Sequence, residues 1–137
     1  MKDSRTVKSP ITSLMLVDDN EFDQMMYKRL VDRSGLVEKL TQFVAPQEAL
    51  DHLFEASNDM PSLVLLDINM PKIDGFEFLE SVTSELGERM CPVIIMLTTS
   101  LDPRDEERAR QHKVVRDFHN KPMTGELLKH LASMEFG

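Results

Sequence analysis

A chain of 137 residues is long enough to bury one ordinary hydrophobic core, and its 41% apolar and 29% charged residues exclude a disordered or membrane-embedded protein. The formal net charge of −8 repels phosphate backbones and anionic lipid, which argues against direct binding to nucleic acid or to a membrane surface. No stretch approaches the roughly 18 apolar residues of a membrane span, and the basic opening lacks the apolar run and small-residue cleavage site of an export signal.

Residues 1–12 carry Lys2, Arg5 and Lys8 against Asp3, with Pro10 near the junction, and read as a short mobile tail before a single domain over 13–137. The apolar run Leu14 to Val17 predicts a first strand. Phe22, Met25, Met26, Leu30 and Val31 follow at helical spacing, with Gly35 as a stop. Leu40 to Ala45 is a weaker strand, and Pro46 opens a helix with Ala49, Leu50, Leu53 and Phe54 on one face. Leu63 to Leu66 is the third strand, followed by a loop with Asp74-Gly75 and a helix facing inward through Phe76, Leu79, Val82 and Leu86.

Val93 to Leu97 is the fourth and most apolar strand. Asp102-Pro103-Arg104-Asp105 reads as a cap, a first-turn proline and an acidic first turn, with Arg108 and Arg110 placed where the helix dipole favours cations. Val114 to Phe118 is a more polar fifth strand suited to a sheet edge. Thr124 caps a last helix with Leu127, Leu128, Leu131 and Met134 inward. Five strands alternating with five helices, the central strands continuously apolar, predict an α/β fold with a parallel sheet covered on both faces.

In such a sheet the site lies beyond the carboxyl ends of the strands, near a topological switch point. Asp18-Asp19-Asn20, Asp67 and Thr98-Thr99-Ser100 all fall there. Taken singly each has an ordinary role: Asp18, Asp19 or Asn20 as a helix cap, Thr99 or Ser100 as a turn residue, Lys121-Pro122 as a turn. Together they demand more, because three carboxylates in one crevice repel one another and require a cation or a basic side chain. Magnesium suits oxygen ligands of this kind. His52, His112, His119 and His130 show no metal-ligand spacing and read as exposed or packed residues. Met15, Met25, Met26 and Met96 fall at predicted core positions. Cys91 beside its apolar run reads as a small buried thiol in a reducing, cytoplasmic setting.

The segments LVDD, LLDINMPKIDGFEFL, MLTTS and DFHNKP, in order over about residues 13–134, resemble the receiver-domain signature of two-component response regulators, most closely the single-domain, CheY-like members. The resemblance implies a flavodoxin-like, doubly wound sheet of strand order 2-1-3-4-5. It implies Asp67 as acceptor of a phosphoryl group from a phosphohistidine, and Mg2+ held by Asp19 and Asp67, with the Asn69 backbone carbonyl adding an oxygen and Asp18 acting through water or hydrogen bonds. Lys121 would pair with Asp67 before reaction and with the phosphoryl group afterward, beside a cis bond to Pro122. Thr98 and Phe118 would form the switch.

The implied partners are a sensor histidine kinase or histidine phosphotransfer protein upstream and a downstream protein at the face of the fourth helix, fifth strand and fifth helix. A monomer or weak phosphorylation-dependent dimer is expected, with no output domain after Met134. Among rivals, a haloacid dehalogenase would need an acid where Asn69 stands. A flavodoxin-like flavin binder would need a hydroxyl- and glycine-rich loop where Asp18-Asp19-Asn20 stands. A receiver that has lost phosphorylation would not keep these acids with Thr98 and Lys121. Departures from the commonest receiver pattern are Thr99 in place of Ala or Gly, Phe118 in place of Tyr, and Lys113-Val114-Val115-Arg116 in place of a Gly-Ala approach to the fifth strand.

Overall fold

The computed structural model describes residues 10–87, 91–99 and 102–134. Strands and helices alternate along them: β1 (Ile11–Val17), α1 (Glu21–Ser34), β2 (Val37–Phe43), α2 (Pro46–Phe54), β3 (Leu63–Leu66), α3 (Gly75–Leu86), β4 (Val93–Thr98), α4 (Pro103–Arg110), β5 (Val115–Asn120) and α5 (Gly125–Ala132). All pairings are parallel and the order is β2-β1-β3-β4-β5, the flavodoxin-like arrangement.

The pleat of β1 divides the core. Leu14 and Leu16 pack with Tyr27 and Val31 of α1 and Leu128 and Leu131 of α5. Met15 and Val17 pack on the other face with Leu50 and Leu53 of α2, Phe76 and Leu79 of α3 and Ala109 of α4. Both faces being covered, the central strands are apolar at consecutive positions: every residue of β3 is buried.

Several boundaries and one face differ from the sequence reading; β5, for one, runs Val115–Asn120 rather than Val114 to Phe118. β1 starts at Ile11, inside the expected tail, because that side chain is fully buried and its N–H donates to the Leu36 carbonyl; residues 1–9 lie outside the described residues. β2 runs from Val37 to Phe43 rather than Leu40 to Ala45, since its register with β1 starts at Ile11↔Val37 and Ala45 is spent as the residue before Pro46 of α2.

The larger correction concerns α1. Phe22, Met25 and Met26 are 63%, 50% and 40% exposed, and the buried face is Gln24, Tyr27 and Val31. Both sets have helical spacing. Gln24 decides between them: its side-chain amide donates to the carbonyls of Leu16, Asp18 and Phe43, tying α1 to the ends of β1 and β2 through contacts a methionine cannot make. Met15 and Met96 are buried as expected. Cys91 is half-buried, its thiol donating to the Gly87 carbonyl at 3.1 Å.

Candidate functional site

The sheet brings the acids together through register. Val17 of β1 lies opposite Leu66 of β3, so the next residues, Asp18 and Asp67, leave the sheet side by side. The Asp67 N–H donates to the Val17 carbonyl and the Asp18 N–H to the Phe43 carbonyl, so both turns are tied to the neighbouring strand. Asp18 is 4% and Asp67 6% exposed, and each offers an oxygen within 4.8 Å of the other and of one on the more open Asp19.

Of the cap candidates for α1, Asn20 takes the role and leaves Asp18 and Asp19 out of it. Asn20 caps α1 by accepting from the Asp23 N–H, and Asp102 caps α4 by accepting from the Arg104 N–H. Asp18 accepts from the Asn20 N–H through Oδ1 only. Its other oxygen faces the crevice, where it meets Lys121.

Lys121 follows β5 and enters the crevice from the side, held by its N–H to the Thr98 carbonyl (2.8 Å) and a cis bond to Pro122. Its Nζ lies 2.6 Å from Asp18, 3.0 Å from Asp23 and 3.4 Å from Asp67. The closest partner is therefore Asp18 rather than Asp67. Asp23 is a fourth carboxylate that sequence reasoning missed. Its signal was available: a polar residue one helical turn from the Asp18-Asp19 pair points back toward the strand ends.

Burial raises the pKa of Asp18 above its ordinary value; the hydrogen bond and charge of Lys121 oppose this without cancelling it. Burial likewise raises Asp67, and the Asp18 charge adds to it against the pull of Lys121. For Lys121, burial alone would lower the pKa, but hydrogen bonds to Asp18 and Asp23 and the surrounding negative charge outweigh it and push the ammonium up. The crevice is thus a fixed cation among more carboxylates than it can neutralise.

Gly75 is a second residue whose role was not foreseen. A Cβ there would stand 2.7 Å from the Asp67 carbonyl oxygen and 2.9 Å from Ile68 Cα, distances no real Cβ keeps. The start of α3 therefore packs directly on the Asp67 backbone, and the Gly75 N–H donates to the Ile68 carbonyl. Asp74 and Glu77 form a reciprocal capping box that fixes this helix start.

Thr98 is fully buried at the end of β4, while Thr99 is exposed and Ser100 lies outside the described residues. Phe118 pairs in register with Met96, two residues before Thr98, so Thr98 and Phe118 share the α4 side of the sheet. Asn69 is exposed, and its N–H makes a long contact with Asp67 Oδ1.

Residues 14–133 match the response regulator receiver domain family. The chain is 30% identical over 119 residues to the probable methanogenesis regulatory protein FilR2 of Methanothrix harundinacea, covering 85% of this chain and 76% of the relative. It superposes on a two-component response regulator of Cytophaga hutchinsonii with a TM-score of 0.81 at 26% identity, covering 90% of this chain and 95% of the other. The Mn2+-bound form of the response regulator Rcp1 shares the fold, with a TM-score of 0.75 at 21% identity over 92% of this chain and 99% of that one. The chain belongs to the response regulator receiver family of two-component signalling. Members of that family are signalling phosphoacceptors, of the CheY-like kind in fold.

Proposed function

We propose that the chain accepts a phosphoryl group on Asp67 from a phosphohistidine of a histidine kinase or phosphotransfer protein and thereby switches its binding to a downstream protein. The observation that carries this reading is the placement of Lys121 Nζ between Asp18 and Asp67 at the carboxyl ends of β1 and β3. An Asp67 carboxylate oxygen attacks phosphorus, the phosphorus–nitrogen bond of the donor breaks, and the imidazole leaves with its electron pair. Lys121 then transfers its hydrogen bond from Asp67 to a phosphoryl oxygen, and water attack on phosphorus later restores the carboxylate.

The donor set fits a hard divalent cation. It is made of oxygens alone, two of its carboxylates are buried, and repulsion between Asp18 and Asp67 persists despite Lys121. Asp18, Asp19 and Asp67, with the Asn69 backbone carbonyl, would hold Mg2+. When bound it neutralises the charge that otherwise keeps an anionic phosphoryl donor from an anionic nucleophile. No helix among the described residues is long and apolar enough to cross a membrane, and a cytoplasmic setting is part of this reading.

Intact mass after incubation with acetyl phosphate and Mg2+ tests the proposal. The wild type gains one phosphoryl group and Asp67→Asn gains none, since the amide keeps the shape and loses the nucleophile. A phosphoryl group on the variant, or none on the wild type, overturns the assignment.

A further inference from the structure

Two of the four histidines, which show no metal spacing in sequence, meet in space. Asp117 and His119 stand two residues apart on β5, opposite Ile95 and Leu97, and so face the α5 side of the sheet. His130 comes from the last turn of α5. The His119 and His130 rings meet edge to face with centroids 6.1 Å apart, and one donor atom from each of Asp117, His119 and His130 lies within 4.8 Å of the others.

We infer that Asp117, His119 and His130 form a second metal site, selective for a borderline transition cation of the zinc class. The donor types set the selectivity: two imidazoles and one carboxylate suit zinc and its neighbours, whereas the all-oxygen crevice suits magnesium. Four ligands about zinc, with bonds of about 2.0–2.1 Å, place neighbouring donor atoms a little over 3 Å apart. Asp117 Oδ2 and His119 Nε2 are already 3.0 Å apart. His130 is exposed, so its ring closes the remaining distance by rotation without disturbing the core.

Two further features orient the site. Asp117 Oδ1 accepts from the Phe118 N–H at 2.9 Å, which leaves Oδ2 for the cation and fixes the carboxylate as outer hydrogen bonds do in built metal sites. His130 sits at the negative end of the α5 dipole, where positive charge is stabilised. A cation held there ties β5 to α5 and grips the backbone of Phe118. It acts on the face expected to meet a downstream partner, and three protein ligands leave a coordination position open to water or to that partner.

Calorimetric titration of the untagged full chain with Zn2+, in a large excess of Mg2+ to occupy the acidic crevice, tests the inference. Cys91→Ser serves as background to remove the thiol. One zinc ion binds, and His119→Gln and His130→Gln each weaken binding at least about tenfold. Amide shifts on adding zinc centre on residues 117–119 and 130, and the same spectra confirm that the variants are folded. Absence of zinc binding, leaving a plain Asp117–His119 ion pair, overturns the inference, as does binding that both variants retain or shifts centred on Asp18 and Asp67.

Discussion

Replacing Lys121 by methionine keeps the aliphatic stem and deletes an ammonium within 3.4 Å of three carboxylates. Its side chain is 9% exposed, and those of Asp18 and Asp67 are 6% and 7% exposed, so water screens these pairs weakly. At an effective dielectric of about 20, each contact at such distances carries roughly 5 kcal/mol of Coulomb energy, much of it offset by the cost of desolvating the charges. Removing one partner while leaving the others buried costs about 3–5 kcal/mol. For a domain of this size that lowers the melting temperature by about 10–20 °C.

The pH dependence has a definite sign. Asp18 and Asp67 have folded pKa values above their unfolded ones, so between the two values the folded state binds more protons, and stability falls as pH rises through that window. Without Lys121 the window extends to higher pH. Lys121→Met should therefore regain stability more steeply than the wild type as pH is lowered from 7 toward 5, and should also regain it on adding Mg2+. The contribution of Lys121 itself has the opposite partner logic but the same direction: its pKa is raised, so the stabilisation holds throughout this range and is lost only at strongly alkaline pH. Thermal melts with EDTA and with Mg2+ at several pH values measure all of this. A loss below about 1 kcal/mol at pH 7 in EDTA would refute the view that Lys121 is the counterion of the crevice.

Asp18→Asn should raise the metal-free melting temperature at neutral pH by a few degrees while weakening Mg2+ binding, because the raised pKa marks an ionised group the fold holds at a cost; an unchanged or lower melting point in EDTA counts against it. Gly75→Ala should destabilise by about 1–3 kcal/mol and slow phosphorylation by acetyl phosphate, since the added Cβ meets the Asp67 and Ile68 backbone. Unchanged melts and rates would mean that the start of α3 gives way freely. Thr98→Ala should still take up phosphate but couple poorly, and Phe118→Ala should accept it normally while losing the change at the α4–β5–α5 face; amide spectra with beryllofluoride compare them. A full wild-type response in Phe118→Ala removes the aromatic from the coupling.

The sheet was legible because its three central strands, β1, β3 and β4, are compact apolar runs, and a parallel sheet buried on both faces requires that pattern. Asp18, Asp19, Asp67 and Thr98 were legible for a related reason: in a parallel sheet whatever follows each strand reaches the same end. Groups arriving from other directions were not. Asp23 enters the crevice from a helix, Gly75 matters for the atom it lacks, and His119 meets His130 across two elements eleven residues apart in sequence. The inward face of α1 was misread because periodicity weighs apolar character. Gln24 is buried for its donors, and only the three carbonyls it meets explain that.

On the proposed function, the buried charges of Asp18 and Asp67, whose pKa values burial raises, are what a phosphoryl group would act on. A phosphoryl group biases a conformational equilibrium only by binding one arrangement better than the other, and carrying the population from mostly inactive to mostly active takes roughly 3–5 kcal/mol. Charge-assisted hydrogen bonds of about 1.5–3 kcal/mol each, one from Lys121 and one from Thr98, reach that range together. In the unphosphorylated chain Lys121 Nζ lies nearer Asp18 and Asp23 than Asp67, so engaging a phosphoryl oxygen means shifting away from those two carboxylates. The Thr98 backbone carbonyl accepts from the Lys121 N–H, and Thr98 shares a sheet face with Phe118, so a displacement at the lysine would be felt at the strand that carries the aromatic. On the proposed function, the energy available for switching would be the difference between two ways of neutralising the same buried charges, and Asp23, 3.0 Å from Lys121 Nζ, would favour the resting arrangement.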